Sequence, residues 1–255
     1  MLLKKVPLQT PLPLFYIGRD LALDLEENLP CIIYLALSAE ESLSKTPFNQ
    51  PVNFFLSHSV RVFSVDLPFH GNDLLATEGM KKWADEFSTG NNILASFLND
   101  LETSLKLLFK AIAPSKIAIM GLSRGGFLAS HIAARMPEIS SLLCYAPLTQ
   151  ISQCLEFTHL KDSSLIQSLN ISALTADLYQ KKIKVYIGNR DLRVGTDLCY
   201  TWLNTLIDEA FLHGIRSPQI ELVLKPSIGY LGHGTSKETF EEGALWLAQK
   251  LEIPI

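Results

Sequence analysis

The chain has 255 residues, of which 47% are apolar and 19% charged. That is the make-up of a soluble globular protein with a large core. A net charge of −4 and the lack of any basic cluster argue against a nucleic-acid partner. No stretch is apolar for long enough to span a bilayer, and the start of the chain lacks the apolar core of a secretory signal, so the expectation is one cytoplasmic domain over residues 1–255.

The four cysteines, Cys31, Cys144, Cys154 and Cys199, show no short-spaced pair of the kind a zinc site uses. They read as reduced thiols, and no metal or organic cofactor is expected.

Leu14 to Ile17 and Leu21 to Leu25, with Gly18-Arg19-Asp20 between them, predict a β-hairpin. Cys31 to Leu37 is an unbroken apolar run, which predicts a strand covered on both faces. Ser38 to Val52 is polar with two prolines and reads as a loop with a short helix from Ala39. A second buried strand covers Val60 to Val65 and ends in Asp66-Leu67-Pro68-Phe69-His70-Gly71. Trp83 to Phe87 is a short helical piece. Between Asn92 and Ala111, Leu94, Leu98, Leu101, Leu105 and Leu108 recur at three- and four-residue steps, which predicts an amphipathic helix closed by Pro114.

Ile117 to Met120 then runs straight into Gly121-Leu122-Ser123-Arg124-Gly125-Gly126, and a helix follows to Met136, before Pro137. Strand, tight Gly-x-Ser-x-Gly turn and helix together are the context of a nucleophile elbow, which holds a serine hydroxyl out at the sheet edge. Further strands are predicted at Ser141 to Tyr145, Ile183 to Gly188 and Ile220 to Leu224, with a helix from Thr196 to His213. The segment 148–181 is irregular. A last helix runs from Ser236 to Leu251, with Thr235 and Glu238 as its capping box. Alternating strands and helices predict an α/β protein with a mainly parallel twisted sheet of about eight strands and helices on both faces.

A serine hydroxyl is a weak nucleophile at neutral pH and needs a base that is itself oriented by a third group. Two later strand ends supply candidates: Gly188-Asn189-Arg190-Asp191-Leu192-Arg193-Val194 and Gly229-Tyr230-Leu231-Gly232-His233-Gly234. Both lie just past the carboxyl ends of strands, where ligands bind in such sheets. Asp177 is the rival acid, although no strand end precedes it. His131 sits about two helical turns beyond Ser123 and is carried away from the elbow. His58, His159 and His213 have polar or helical surroundings. His70 follows a strand end and borders the pocket region.

In this order, the loop at Asp66 to Gly71, the elbow, Gly188 to Asp191 with Arg193-Val194, and Gly232-His233-Gly234 resemble the α/β-hydrolase superfamily. The resemblance spans nearly the whole chain. It is to the small esterases similar to dienelactone hydrolases and to the catalytic domain of prolyl oligopeptidases. It implies the α/β-hydrolase fold, with Ser123 as nucleophile, His233 as general base and Asp191 as the acid that orients it. It also implies an oxyanion hole built from the backbone N–H of Arg124 and a donor from the loop after the third strand. That loop reads Ala36-Leu37-Ser38-Ala39 and lacks the family's His-Gly, and Ser38 falls at the donor position.

The resulting expectation is a carboxylic ester hydrolase acting on a small-molecule ester, with 148–181 as a small lid. A peptidase or amidase, an acyltransferase, and a hydrolase fold kept as an inactive binding module are the other readings. A peptidase of this type would usually carry a propeller domain. Arg124, Arg190 and Arg193 fall near the mouth of the site. Each reads either as a partner for a substrate carboxylate or as a solvated or loop-bracing charge.

Overall fold

The computed structural model describes residues 2–21, 29–71, 75 and 77–255. Strands β1 (Lys4–Lys5), β2 (Phe15–Ile17), β3 (Cys31–Leu35), β4 (Val62–Ser64), β5 (Ile117–Leu122), β6 (Ile139–Tyr145), β7 (Lys182–Gly188) and β8 (Ile220–Lys225) make one sheet. Its order is β1-β2-β4-β3-β5-β6-β7-β8. From β4 to β8 every neighbouring pair is parallel. β2 is the reversed strand, pairing antiparallel with β1 on one side and with β4 on the other.

The predicted hairpin is not the arrangement found. One edge of β2 is taken by Lys4–Lys5 and the other by β4, and most of the Leu21 to Leu25 segment lies outside the described residues.

The helices are α1 (Ala39–Ser44), α2 (Gln50–Ser57), α3 (Gly79–Ser88), α4 (Ile93–Ile112), α5 (Arg124–Arg135), α6 (Ser164–Ser168), α7 (Thr175–Leu178), α8 (Thr196–Leu212) and α9 (Lys237–Lys250). The unbroken apolar runs of the central strands have a simple cause. Ile33, Leu35, Ile119 and Leu142 pack into a core shared with α3, α4, α5 and α8. Their sequence neighbours Ile32, Tyr34, Met120 and Leu143 pack into a second core shared with α1, α2 and α9. Both sheet faces are therefore dry, and alternation is lost.

Helix α4 follows its predicted pattern: Leu94, Leu98, Leu101, Leu105 and Leu108 are at most 1% exposed. Burial of each contributes about 1.5–3 kcal/mol. Asn92 caps the first turn by accepting from the Ala95 N–H, and Ala113 ends the helix in a left-handed conformation, φ 40°.

The short helix expected from Ala39 is α1, capped by Ser38 through a complete capping box with Glu41. Two helix starts differ from expectation. The first is α2, which begins inside the expected loop with Pro51 in its first turn. At α9 the cap is Ser236, whose hydroxyl accepts from the Thr239 N–H, one residue beyond the predicted Thr235. Among the described residues no helix is long and apolar enough to cross a membrane. All four cysteines are buried free thiols.

Candidate active site

Ser123 sits between β5 and α5 with φ 54° and ψ −119°, a conformation that L-residues rarely adopt and that costs energy to hold. The surrounding backbone imposes it. Ser123 N–H donates to the Tyr145 carbonyl (2.9 Å), and its own carbonyl accepts from Leu148 N–H (3.1 Å) and Phe127 N–H (3.2 Å). A Cβ on Gly125 would lie 1.9 Å from the Leu35 carbonyl oxygen. The turn after the serine can therefore touch β3 only because that position has no side chain.

Asp191 follows β7 by three residues and is 2% exposed. Its Oδ1 accepts from the N–H groups of Arg193 (2.9 Å) and Val194 (3.1 Å). Its backbone N–H donates to Thr196 Oγ1, which donates in turn to the Gly188 carbonyl. His233 lies in the loop after β8, its backbone held by the Tyr230 carbonyl. The two loops press on one another. Leu192 N–H donates to the Leu231 carbonyl (2.8 Å), and Gly232, at φ 75°, leaves no room for a Cβ, which would stand 2.3 Å from the Arg190 carbonyl oxygen.

Three side chains from three strand ends thus come together. His233 Nδ1 is 2.7 Å from Asp191 Oδ2, and His233 Nε2 is 2.8 Å from Ser123 Oγ. A carboxylate only accepts, so Nδ1 carries the hydrogen and Nε2 presents its lone pair to the serine O–H. The site lies beside the switch point of the sheet, where β3 is flanked by β4 on one side and β5 on the other.

Ser38 is not brought to this site as a donor. Its N–H donates to Glu41 Oε2 (3.2 Å) in the α1 capping box. The flanking N–H groups are also committed, Leu37 to Ser42 Oγ (3.1 Å) and Ala39 to Asp66 Oδ1 (2.8 Å). The cap therefore turns the loop after β3 toward its own helix. Arg124, at the first position of α5, keeps its backbone beside Ser123.

Two cavities open on the Ser123 hydroxyl. One, of about 240 Å³, is walled by Ala36, Leu37, Phe48 and Leu122. The other, of about 50 Å³, is walled by Met80, Leu148, Cys154 and Val194. Arg124 and His233 line both.

The three arginines separate. Arg190 is exposed. Arg193 braces the segment between β6 and β7, its guanidinium forking onto Glu156 at 2.5 and 3.0 Å. Burial is the largest single influence on Glu156 and raises its pKa, but the hydrogen bonds from Arg193, a backbone hydrogen bond and the charges of Arg193 and Arg124 together outweigh it and hold the carboxyl below its ordinary value. Arg124 Nη1 is 2.9 Å from His70 Nε2, and His70 Nδ1 is 2.8 Å from the Pro68 carbonyl. A carbonyl accepts and a guanidinium donates, so His70 is neutral with its hydrogen on Nδ1. Burial and then the Arg124 charge push its pKa down to about 4. Burial, with Arg193 nearby, lowers Arg124 to about 10, so it stays charged at neutral pH. Nothing in the residue pattern points to the His70–Arg124 contact, since its partners lie on separate segments.

The other candidates lie elsewhere. His131 donates from Nε2 to the Leu169 carbonyl (2.9 Å) behind the elbow. His159 meets Ser88 and His213 meets Glu209. Asp177 is in α7. No cluster of three or more metal-ligating side chains occurs among the described residues.

No protein-family model matches the sequence, and no curated protein matches it either. Solved structures do. Est1E from Butyrivibrio proteoclasticus, solved with ferulic acid bound, superposes with a TM-score of 0.65 at 14% identity, over 95% of this chain and 97% of that one. The Pyrococcus furiosus esterase Pf2001 superposes at 0.62 with 16% identity, over 98% and 91%. A protein from Bacteroides ovatus assigned as a dipeptidyl aminopeptidase IV superposes at 0.70 with 10% identity, over 99% of this chain but 36% of its own length. With its eight-stranded, mostly parallel sheet, the chain has the α/β-hydrolase fold.

Proposed function

We propose that the chain is a serine hydrolase that cleaves carboxylic esters through an acyl-enzyme. Ser123 Oγ attacks the ester carbonyl carbon while His233 Nε2 takes its proton, and Asp191 holds the imidazole tautomer and stabilises the imidazolium. The carbonyl oxygen becomes an oxyanion facing the backbone N–H of Arg124, a contact of the kind worth about 2.7–4 kcal/mol in a transition state. The tetrahedral adduct collapses, the C–O bond to the alcohol breaks, and His233 returns the proton to the departing oxygen. Water then attacks the acyl-enzyme, gives its proton to His233, and releases the acid and the free serine. The segment 148–181 shapes one side of the substrate pocket.

The observation that carries this reading is the hydrogen-bonded run from Asp191 through His233 to Ser123 Oγ, at 2.7 and 2.8 Å. The serine in it stands on a strained turn at the rim of both cavities. Esterases among the structural neighbours are in line with it.

The test is labelling with a fluorophosphonate and mapping the adduct by mass spectrometry. Stoichiometric modification of Ser123, lost in His233→Ala, is expected. A chain that stays unmodified under conditions that label a known serine esterase overturns the reading. The peptidase reading draws on the Bacteroides ovatus neighbour. A panel of acyl esters and aminoacyl amides separates the two, and turnover of the amides alone favours the peptidase.

A further inference from the structure

A third cavity, of about 330 Å³, lies where the ends of β7 and β8 meet the first turn of α9. It shares no lining residue with the two at the Ser123 hydroxyl. Its wall is mostly apolar, with Ile187, Pro226 and Ile228 in it. Gly234 closes one side, its N–H donating to the Ile228 carbonyl (2.7 Å), so the cavity is backed by the loop that carries His233. The volume matches roughly eleven water-sized groups. Small-molecule sites are of this kind, apolar for the most part with a few fixed polar groups.

Tyr186 supplies the polar group. Three tyrosines are buried on this face of the sheet, Tyr34, Tyr145 and Tyr186. Tyr34 Oη donates to the Phe48 carbonyl and Tyr145 Oη to the Phe240 carbonyl, both at 2.8 Å. Tyr186 stacks on Tyr145, with ring centroids 5.8 Å apart, and is only 3% exposed. Its hydroxyl nevertheless has no hydrogen-bond partner among the described residues, and the little surface it keeps opens on the cavity. A buried phenol is normally paired, so this one aims a donor into an apolar space. Burial, with the charges of Glu242 and Glu221 behind it, pushes its pKa up to about 12, and the proton stays on at neutral pH.

The other polar groups of the lining are committed. The Ser236 and Thr239 hydroxyls meet at 3.1 Å at the start of α9. Lys225 is held by both carboxylate oxygens of Glu242, at 2.6 and 2.7 Å. Glu238 is exposed, and its carboxyl is held below its ordinary pKa first by a backbone N–H and then by Ser236. Thr235 is half-buried and can turn to water. A guest of either charge therefore loses its hydration and finds no uncommitted counter-charge. A guest that brings a donor leaves it against an apolar wall. An acceptor without a donor, on an apolar body, completes Tyr186 and leaves nothing unpaired.

We propose that this cavity is a second binding site, for a small uncharged ketone or ester with an apolar body, whose carbonyl oxygen accepts from the Tyr186 hydroxyl. The inference goes beyond the ester-hydrolase reading and does not depend on it, since no residue of the triad lines the cavity.

The experiment uses acetophenone, a ketone that ester hydrolysis leaves intact. Its companion is α-methylstyrene, in which a CH2 group replaces the carbonyl oxygen. Both are titrated against the wild type and Tyr186→Phe. Dissociation constants are read from protein NMR shifts, and the site from nuclear Overhauser contacts. Acetophenone is expected to contact the Ile187 and Ile228 methyl groups, with its acetyl methyl against the Tyr186 ring. Tyr186→Phe should weaken acetophenone about fivefold or more, because the ketone oxygen is left buried and unpaired, and should leave α-methylstyrene within about twofold of its wild-type value. Any loosening of the cavity affects both probes and cancels in the comparison. The proposal is overturned if acetophenone does not bind at millimolar concentration, or if its contacts are to Leu37 and Phe48 alone, which place it beside Ser123. It is also overturned if Tyr186→Phe weakens both probes equally or neither. If Tyr186→Phe does not fold, the wild-type contacts decide, and an acetyl group turned away from Tyr186 overturns the proposal.

Discussion

Asp191 and His233 are 42 residues apart and meet at 2.7 Å, Oδ2 to Nδ1, with the carboxylate's other oxygen fastened by two backbone N–H groups. That fastening leaves Oδ2 one task. Exchange of Asp191 for Asn can place an NH2 group against Nδ1, which moves the imidazole hydrogen to Nε2 and removes the lone pair facing Ser123. The expected loss in kcat is on the order of 10⁴, with the fold kept because the amide oxygen still accepts from Arg193 and Val194. Ester turnover and far-ultraviolet circular dichroism measure both, and near-normal turnover would remove Asp191 from the mechanism.

Ser123→Ala and His233→Ala should each lower kcat by about 10⁶, and the double variant should lose no more than either single one, because the two groups act as a unit. Steady-state kinetics on one activated ester reads all three. Multiplying losses would mean that the serine and the imidazole act in separate steps.

At Gly125 the constraint is steric. An alanine side chain would have to displace the Leu35 carbonyl from 1.9 Å, and through it the end of β3 and the wall of the larger cavity. Overpacking of this kind costs about 1–3 kcal/mol, or roughly 2–4 °C of melting temperature per kcal/mol in a chain of this size. Thermal unfolding of Gly125→Ala should show that loss, and turnover should fall with it. An unchanged melting temperature would mean that the turn at Gly125 has slack to take up a methyl group.

Glu156 ties the segment after β6 to the Asp191 loop through Arg193, and neither side chain is more than 24% exposed. Its pKa is held below the ordinary 4.5. A carboxyl with a depressed folded pKa adds stability that is fully present above the unfolded value and is lost as pH falls through the folded one. Glu156→Gln should therefore be less stable than the wild type at pH 7, by about 1.5–3 kcal/mol for the lost charged hydrogen bonds. The gap should close as pH drops below 4.5. Urea unfolding at several pH values checks this, and a gap independent of pH would assign the loss to packing alone.

Much of this was legible in the chain itself, for identifiable reasons. The strand, tight turn and helix around Ser123 could be read because contacts force the glycines of the turn, and the inner strands because both of their faces are dry. The Asp191 and His233 loops could be read because they follow strand ends in order. The misreadings have causes as well. Ser38 reads as an oxyanion donor because a loop's sequence does not say which way its N–H groups point, although Ser38 and Glu41 have the spacing of a capping box. Thr235 and Ser236 are adjacent hydroxyls, and only the geometry of α9 chooses between them. β1 is two lysines with no apolar pattern. The contact of His70 with Arg124 joins residues 54 apart and leaves no periodic trace.

Two histidines bias the protein against acid. Burial pushes His70 and His131 down to about 4 from the ordinary 6.5, and each is fixed as a neutral tautomer by a carbonyl, Pro68 for one and Leu169 for the other. Below pH 6.5 the unfolded chain takes up both protons while the folded chain takes up neither until about 4. Stability therefore holds above 6.5 and falls as pH is lowered between those values, with a limiting slope of about 1.4 kcal/mol per pH unit for each histidine. Glu156 adds to the fall only below 4.5, so the window from 6.5 to 4.5 isolates the imidazoles. Urea unfolding across that window should give an uptake approaching two protons on unfolding from this pair. His131→Gln, which keeps a donor for the Leu169 carbonyl, should remove about one of them. Stability that stays flat from pH 6.5 to 4.5 would mean that His70 can be protonated in the folded protein, and a charged imidazole could no longer accept the hydrogen bond that aims Arg124.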